Sequence, residues 1–288
     1  MAFLVKSYDA LRNVWDALSL PTWKTDRLCS PTARLRIAML RGYSLALLLP
    51  SWALYRCALL FLPRECAYVV GKIQHARRVR GVEIDRHAHE TLLEMLICGE
   101  DRRFLYHHGF DPLGILRAAY WTARGRLQGA STIEQQLART LTREKQVSIR
   151  RKVREILLAT CVAFTFSKRV TAVVYLGVAY YGSRMNGLAQ ASRRMTARTP
   201  GAGPFDKHRA AGLVARLKHP EPGRSCPRLE RAIEARTRHI LGVHERLQLA
   251  GWFEDAKWRH GQVVAEGLPD TVALLEPPCL ADGRGRPR

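Results

Sequence analysis

The stretch from Thr91 to Gly125, TLLEMLICGEDRRFLYHHGFDPLGILRAAYWTARG, decides how this chain is read. An apolar run, TLLEMLIC, leads into a dense polar cluster, Glu100-Asp101-Arg102-Arg103-Phe104, and then into His107-His108-Gly109-Phe110-Asp111. Asp111 followed by Pro112 marks a helix start, because Asp suits the N-cap and Pro the first helical position; the helix GILRAAYWTAR then stops near Gly125. The polar cluster therefore falls where one helix ends and the chain turns into the next, at the edge of a cleft. A carboxylate there is placed for general acid–base chemistry, and taken alone the same charges also describe a solvated helix end.

Working outward, the pattern stays helical. Ser131-Thr132-Ile133-Glu134 has the form of a capping box, with Ser131 as N-cap and Leu137, Ala138 and Leu141 on one face of the helix that follows. A helix from about Ser148 is expected to bury Ile149, Val153, Ile156, Leu157, Thr160 and Phe164, which leaves Arg151, Lys152 and Glu155 together on another face. Further helices are expected after Ser167, Phe205 and Pro227. No run alternates with period two for long enough to claim a sheet, so the fold class is all-α.

Upstream, Gly42 to Pro63 reads GYSLALLLPSWALYRCALLFLP, interrupted by Pro50 and Arg56 and close to the roughly 20 residues that span a bilayer. One transmembrane helix over 42–63 is expected. The alternative is a buried or interfacial helix, because a central Arg costs about 2.5 to 3.5 kcal/mol on insertion. Arg34, Arg36 and Arg41 precede the segment and Arg64, Lys72, Arg77, Arg78 and Arg80 follow it, so positive charge does not orient it. The expected organisation is an arm over 1–41, the span 42–63, a basic connector 64–84, one domain 85–260 and a loose tail 261–288.

A content of 47% hydrophobic residues supports a full core and excludes disorder throughout. Forty-seven Lys and Arg against 25 Asp and Glu leave a net charge of +22, which calls for a polyanionic setting: nucleic acid, anionic lipid or a phosphorylated substrate. No P-loop, dinucleotide fingerprint or internal repeat is present, which argues against nucleotide chemistry. The 7 cysteines are scattered without a CxxC pair, so the sequence gives no disulfide framework and no zinc spacing. His107 and His108 are neighbours, about 100° apart if helical, with no third ligand at suitable spacing, and no protein metal site is assigned.

EDRRFLYHHGFDPLGILRA resembles the first signature of the family 51 glycosyltransferases, the peptidoglycan polymerases. GASTIEQQLARTL (129–141), RKVRE (151–155) and SKRVTAVVYLGVAYYG (167–182) resemble the second, third and fourth in the same order, and RAAGLVARLKHPEP with the later Arg-rich helix resembles the closing region. The resemblance covers roughly residues 85 to 245 and is to the monofunctional type. It implies an all-α, lysozyme-like glycosyltransferase domain with a membrane-dipping lobe, behind one N-terminal transmembrane helix.

The activity implied is polymerisation of lipid II into β-1,4-linked glycan with release of undecaprenyl diphosphate. By resemblance, Glu100 is the general base that deprotonates the acceptor 4-hydroxyl, and Glu155, the second acid, orients cations or the donor. Asp101, Phe104, His108, Arg117, Ser131, Thr132, Gln135 and Gln136 bind substrate, and Arg139, Arg151 and Lys152 stabilise the leaving diphosphate. No cofactor is required of the protein; a divalent ion, Mg or Mn, at the substrate diphosphate is compatible with the family. The partners implied are lipid II, the growing glycan chain and the cytoplasmic membrane, with other cell-wall synthesis proteins compatible and nucleic acid not expected. The domain is expected on the outer, periplasmic side of the bacterial cytoplasmic membrane, with the arm inside.

The chain departs from the pattern at Gly177, where the signature usually has Asn, at Val147, where a basic residue is common, and at Cys98-Gly99 before the first acid. Three rivals are weighed. A lysozyme-like lytic enzyme has no need of diphosphate-binding cations. An inactive scaffold of the cell-wall machinery is kept in view by Gly177. A basic nucleic-acid-binding protein would carry a recognised binding motif.

Overall fold

The structure, a computed structural model, describes residues 31–79, 86–125, 128–144, 148–198, 206–249 and 252–253. Most of the expected arm, Val147 and the expected tail lie outside these residues. The described elements are α1 (Pro31–Phe61), α2 (Pro63–Val79), α3 (Arg86–Glu100), α4 (Pro112–Ala123), α5 (Ile133–Thr142), α6 (Ile149–Thr165), α7 (Lys168–Val178), α8 (Leu188–Arg198), α9 (Lys207–Lys218) and α10 (Pro227–Leu249), with a short hairpin between α7 and α8. The fold is all-α, as expected.

The core is built around α3. Leu92, Leu93, Met95, Leu96, Ile97 and Cys98 are all buried, so this helix is apolar nearly all round and sits inside the domain. α9 brings Leu213 and Val214 to the same core, α10 brings Ile233 and Ile240, and α5 and α7 add Ile133, Leu137, Val174 and Leu176. Each fully buried aliphatic side chain contributes about 1.5 to 3 kcal/mol. Glu100 is the last residue of this central helix, so the core itself sets where the carboxylate stands.

α1 starts at Pro31, ahead of the expected Gly42, and Leu35–Phe61 is long and apolar enough to cross a membrane. Leu35, Met39, Leu45, Leu49, Trp52, Leu60 and Phe61 are exposed along it, while Ile37, Leu47, Ser51 and Ala58 face the protein. Arg56 lies over the Trp52 ring at 5.7 Å, which gives the intrusive cation a partner on its own helix. The helix packs along α6, where Tyr55 stacks on Phe164 at 5.1 Å.

The expected basic connector is largely a core helix. Cys66, Val69 and Ile73 of α2 recur at helical spacing and are buried, a stripe that the surrounding basic residues disguise in the sequence. The hairpin is another difference: β1 (Tyr180–Gly182) pairs antiparallel with β2 (Met185–Asn186), strands too short to show alternation. Gly182 has φ 137°, and a Cβ there would lie 2.4 Å from the Glu221 backbone, so glycine lets the loop after α9 close onto the hairpin.

Candidate active site

Glu100 meets groups from α5, α7 and α10. Gln136 Nε2 donates to its Oε2 at 3.0 Å, and the Tyr175 hydroxyl donates to Gln136 Oε1 at 2.5 Å, which fixes the amide with its N–H toward the carboxylate. Burial and the charge of Glu100 push the Tyr175 hydroxyl far above its ordinary range, so it stays a neutral donor. Arg236 Nη2 stands 3.5 Å from Glu100 Oε1. That oxygen is buried and has no hydrogen-bond partner among the described residues.

Glu155 is treated differently. It is 4% exposed on α6, with Arg151 Nη1 at 2.9 Å from one oxygen and Lys152 Nζ at 3.5 Å from the other. Lys152 also donates to Ser131 Oγ at 2.9 Å and to Gln135 Oε1 at 2.6 Å, tying α6 to the start of α5. Burial pulls the Lys152 ammonium below the usual lysine value; Glu155 opposes this, and Arg139 and Arg151 add repulsion. These three cations gather on little counter-charge, which suits an anionic ligand. The first turns of α6 differ from expectation: Ile149 and Val153 are 86% and 52% exposed while Glu155 lies inside, paired with Arg151 and Lys152 of the same helix; further along, Thr160 and Phe164 are buried as expected.

The capping expectation shifts by one residue. Thr132, not Ser131, is the N-cap of α5, accepting from Gln135 N at 3.3 Å and donating to Gly109 O at 2.9 Å. Glu134 is fully buried and pairs with Lys168 at 2.5 Å instead of reaching back to the cap. Gln135 is also buried and donates to Gly109 O at 3.4 Å.

Asp101, Phe104, His108 and Arg117 are placed as follows. Asp101 is buried, 2.9 Å from His107 Nε2, and accepts from Ile133 N at 3.3 Å, so it joins the loop to α5. Phe104 is 1% exposed and its ring carries Lys168 Nζ at 4.5 Å. His108 turns toward α1, 3.3 Å from Ser44 Oγ, and stacks on Phe164; it is His107 that reaches Asp101 beside Glu100. Arg117 is exposed on α4 in the electrostatic company of Arg102, Arg236 and Arg246. Asp111 holds the N-cap position, yet its carboxylate takes a bidentate Arg103 at 3.0 and 2.6 Å and the Tyr43 hydroxyl of α1 at 2.6 Å. Burial alone would raise Asp111; Arg103 and Tyr43 hold it below the ordinary carboxylate value.

The tertiary structure brings Asp101, His107 and Glu134 together with ligand atoms within 4.8 Å of one another, which the sequence spacing did not disclose. Lys168 bonds Glu134 Oε1, and His107 and Ile133 N meet Asp101 Oδ2, while Glu134 Oε2 and His107 Nδ1 are buried without a hydrogen-bond partner among the described residues. Sequence reasoning attached no role to Tyr175 or Arg236. Tyr175 lay inside a quoted motif, and Arg236 carried no local signal beyond an Arg-rich helix.

The central helix of this all-α domain thus ends on a carboxylate with one unbonded oxygen, and half-buried cations gather on α5 and α6. The family described as Transglycosylase matches residues 67–244, and the chain belongs to it. The match begins inside α2, consistent with that helix packing into the core.

Among similar proteins, penicillin-binding protein 1A of Vibrio cholerae is 40% identical over 106 residues, which is 36% of this chain and 13% of that protein. Biosynthetic peptidoglycan transglycosylase of Thiobacillus denitrificans is 36% identical over 132 residues, 45% of this chain and 56% of that protein. The chain thus spans a small part of the first relative and about half of the second.

Proposed function

We propose that this protein is a peptidoglycan glycosyltransferase that polymerises lipid II, with Glu100 as general base. The observation that supports the reading is the setting of the Glu100 carboxylate: Oε2 is held by the neutral Gln136 amide and Oε1 is buried without a hydrogen bond among the described residues, whereas Glu155, whose Oε2 is likewise unbonded, is held by the Arg151 guanidinium. Oε1 takes the proton of the acceptor 4-hydroxyl as its oxygen bonds to the donor anomeric carbon. The bond from that carbon to the lipid diphosphate breaks, the electron pair leaves with the diphosphate, and the configuration inverts to a β-1,4 link. Lys152, Arg139 and Arg151 receive the developing charge, and Glu155 orients Arg151 and Lys152. The protein requires no cofactor for these steps, and a divalent ion, where used, travels with the substrate diphosphate.

α1 crosses the cytoplasmic membrane with the arm inside and the domain outside, where lipid II is polymerised. Leu113, Leu116 and Tyr120 on α4, at 46%, 66% and 50% exposure, with Ile149 and Val153 of α6, form the lobe that meets the lipid surface. The test is polymerisation of lipid II by detergent-solubilised full-length protein. Wild type is expected to make polymer and Glu100→Gln to lose at least about 100-fold, as removal of a general base predicts. Cleavage of finished glycan would favour the lytic reading. A folded wild type that makes nothing would favour the scaffold, and undiminished activity in Glu100→Gln would remove Glu100 as the base.

A further inference from the structure

We infer that Arg236 is the positioning residue of Glu100, holding the carboxylate oriented while leaving its reactive oxygen open; the inference rests on Glu100 being the base. Arg236 lies on the inward face of α10, one turn from Ile233 and one from Ile240, which are 6% and 0% exposed, and next to Thr237 at 1%. That is a stripe where packing alone favours an apolar side chain, and a guanidinium there has to be compensated. Its surroundings otherwise oppose it: Arg236 stands among the like charges felt by Arg102 and, with Lys218, Arg102 and Arg246, among those that together with burial depress His239. The ion pair that the described residues give it is with Glu100.

Two contacts define its work. Nη2 donates to the Gly99 carbonyl, one of the last carbonyls of α3 that the helix itself leaves unpaired, so the guanidinium pins the final turn whose next residue is Glu100. The same nitrogen lies at 3.5 Å from Glu100 Oε1, close enough to orient a charge and not paired with it as a hydrogen bond. A short bidentate pair would consume the lone pair that the acceptor proton needs.

Gly99 makes the approach possible. A Cβ at that position would fall 2.6 Å from Val214 Cγ1 and 3.2 Å from Ile240 Cδ1, so glycine lets the end of α3 press against α9 and α10. The Cys98-Gly99 pair that departs from the family pattern is thus part of how α10 reaches the carboxylate.

The experiment is a double-mutant cycle in lipid II polymerisation with full-length protein, with kcat and KM measured separately and folding followed by thermal unfolding. Arg236→Gln is expected to lower kcat by about 10- to 100-fold, the scale of a misplaced catalytic group, with KM changed less than about twofold. Arg236→Lys, which keeps a charge near Oε1, is expected to recover most of the loss. In a Glu100→Gln background Arg236→Gln is expected to add nothing, because the group it positions is gone. Arg238→Gln, on the exposed side of the same helix where Arg238 meets Glu234, serves as a control with wild-type kcat.

Wild-type kcat in Arg236→Gln overturns the inference, as does an equal loss with and without Glu100. Should Arg236→Gln unfold, Arg236→Met carries the cycle with the same expectations, and a folded Arg236→Lys that recovers none of the loss overturns the inference. An active Glu100→Gln defeats the base assignment itself, a separate outcome.

Discussion

Glu100 and Glu155 are the same residue type, one half-buried at the end of α3 and the other buried on α6, and their surroundings differ. Glu155 has two cations: Arg151 bonds one oxygen at 2.9 Å and Lys152 stands 3.5 Å from the other, which, like Glu100 Oε1, is buried without a hydrogen bond among the described residues. Glu100 has one oxygen on a neutral amide at 3.0 Å and the other facing a guanidinium at 3.5 Å without a hydrogen bond. The difference lies in the partner of the bonded oxygen, a guanidinium for Glu155 and a neutral amide for Glu100: a carboxylate between two cations organises them, and one held by an amide is the candidate base.

The largest effect that tests this division is Glu100→Gln, with its loss of at least about 100-fold in turnover. Glu155→Gln is expected to cost less, about 10- to 30-fold, and to act mainly on KM, since it leaves Arg151 and Lys152 in place with less to orient them. If both variants lose kcat alone and to the same degree, the two carboxylates share one role and the contrast fails.

Asp111→Asn probes the tie between α1 and the loop after Glu100. Losing the charge-assisted bonds to Arg103 and Tyr43 is expected to destabilise the folded protein by about 2 kcal/mol near neutral pH, read by thermal unfolding. The folded-state value of Asp111 is depressed, so its stabilisation is present above the unfolded carboxylate value and is lost as pH falls through the folded one. The gap between wild type and Asp111→Asn is therefore expected to close under acid; a gap that widens there contradicts the pairing.

Smaller effects sharpen the Glu100 side. Tyr175→Phe releases the Gln136 amide and is expected to lower kcat about fivefold, one lost hydrogen bond in magnitude, with little change in stability beyond that. Gly177→Ala is expected to raise stability by about 0.5 to 1 kcal/mol with kcat unchanged, since a Cβ there has nothing within 4 Å and glycine is costly inside a helix. A fall in kcat for Gly177→Ala would mean that the open space at this departure from the family pattern is used by substrate.

Much of this was legible in the chain order. Asp111-Pro112, Ser148 and Ser167 start helices where their side-chain chemistry says they do, and the last two cap through Arg151 N and Val170 N. The motifs that gather Gln135, Gln136, Arg139, Arg151, Lys152 and Glu155 are local runs, so their spacing survives without a structure. The cap at Thr132 was missed because Ser131 and Thr132 offer equivalent hydroxyls one residue apart, and only the burial of Glu134 against Lys168 selects the frame. The two adjacent imidazoles are told apart by the structure alone, which places His108 on Ser44 and His107 on Asp101.

By itself the sequence determined the helical class, the apolar N-terminal segment and the family, because periodicity, composition and contiguous motifs are properties of neighbours in the chain. The tertiary structure alone decided which oxygen of Glu100 is free, that Tyr175 orients Gln136, that α2 packs into the core, and that Arg236 faces a carboxylate 136 residues before it, next to the Gly99 carbonyl 137 residues away. Those are contacts across long separations, set by how α3, α9 and α10 pack, and no local pattern in a single chain encodes which inward position of one helix will meet the end of another.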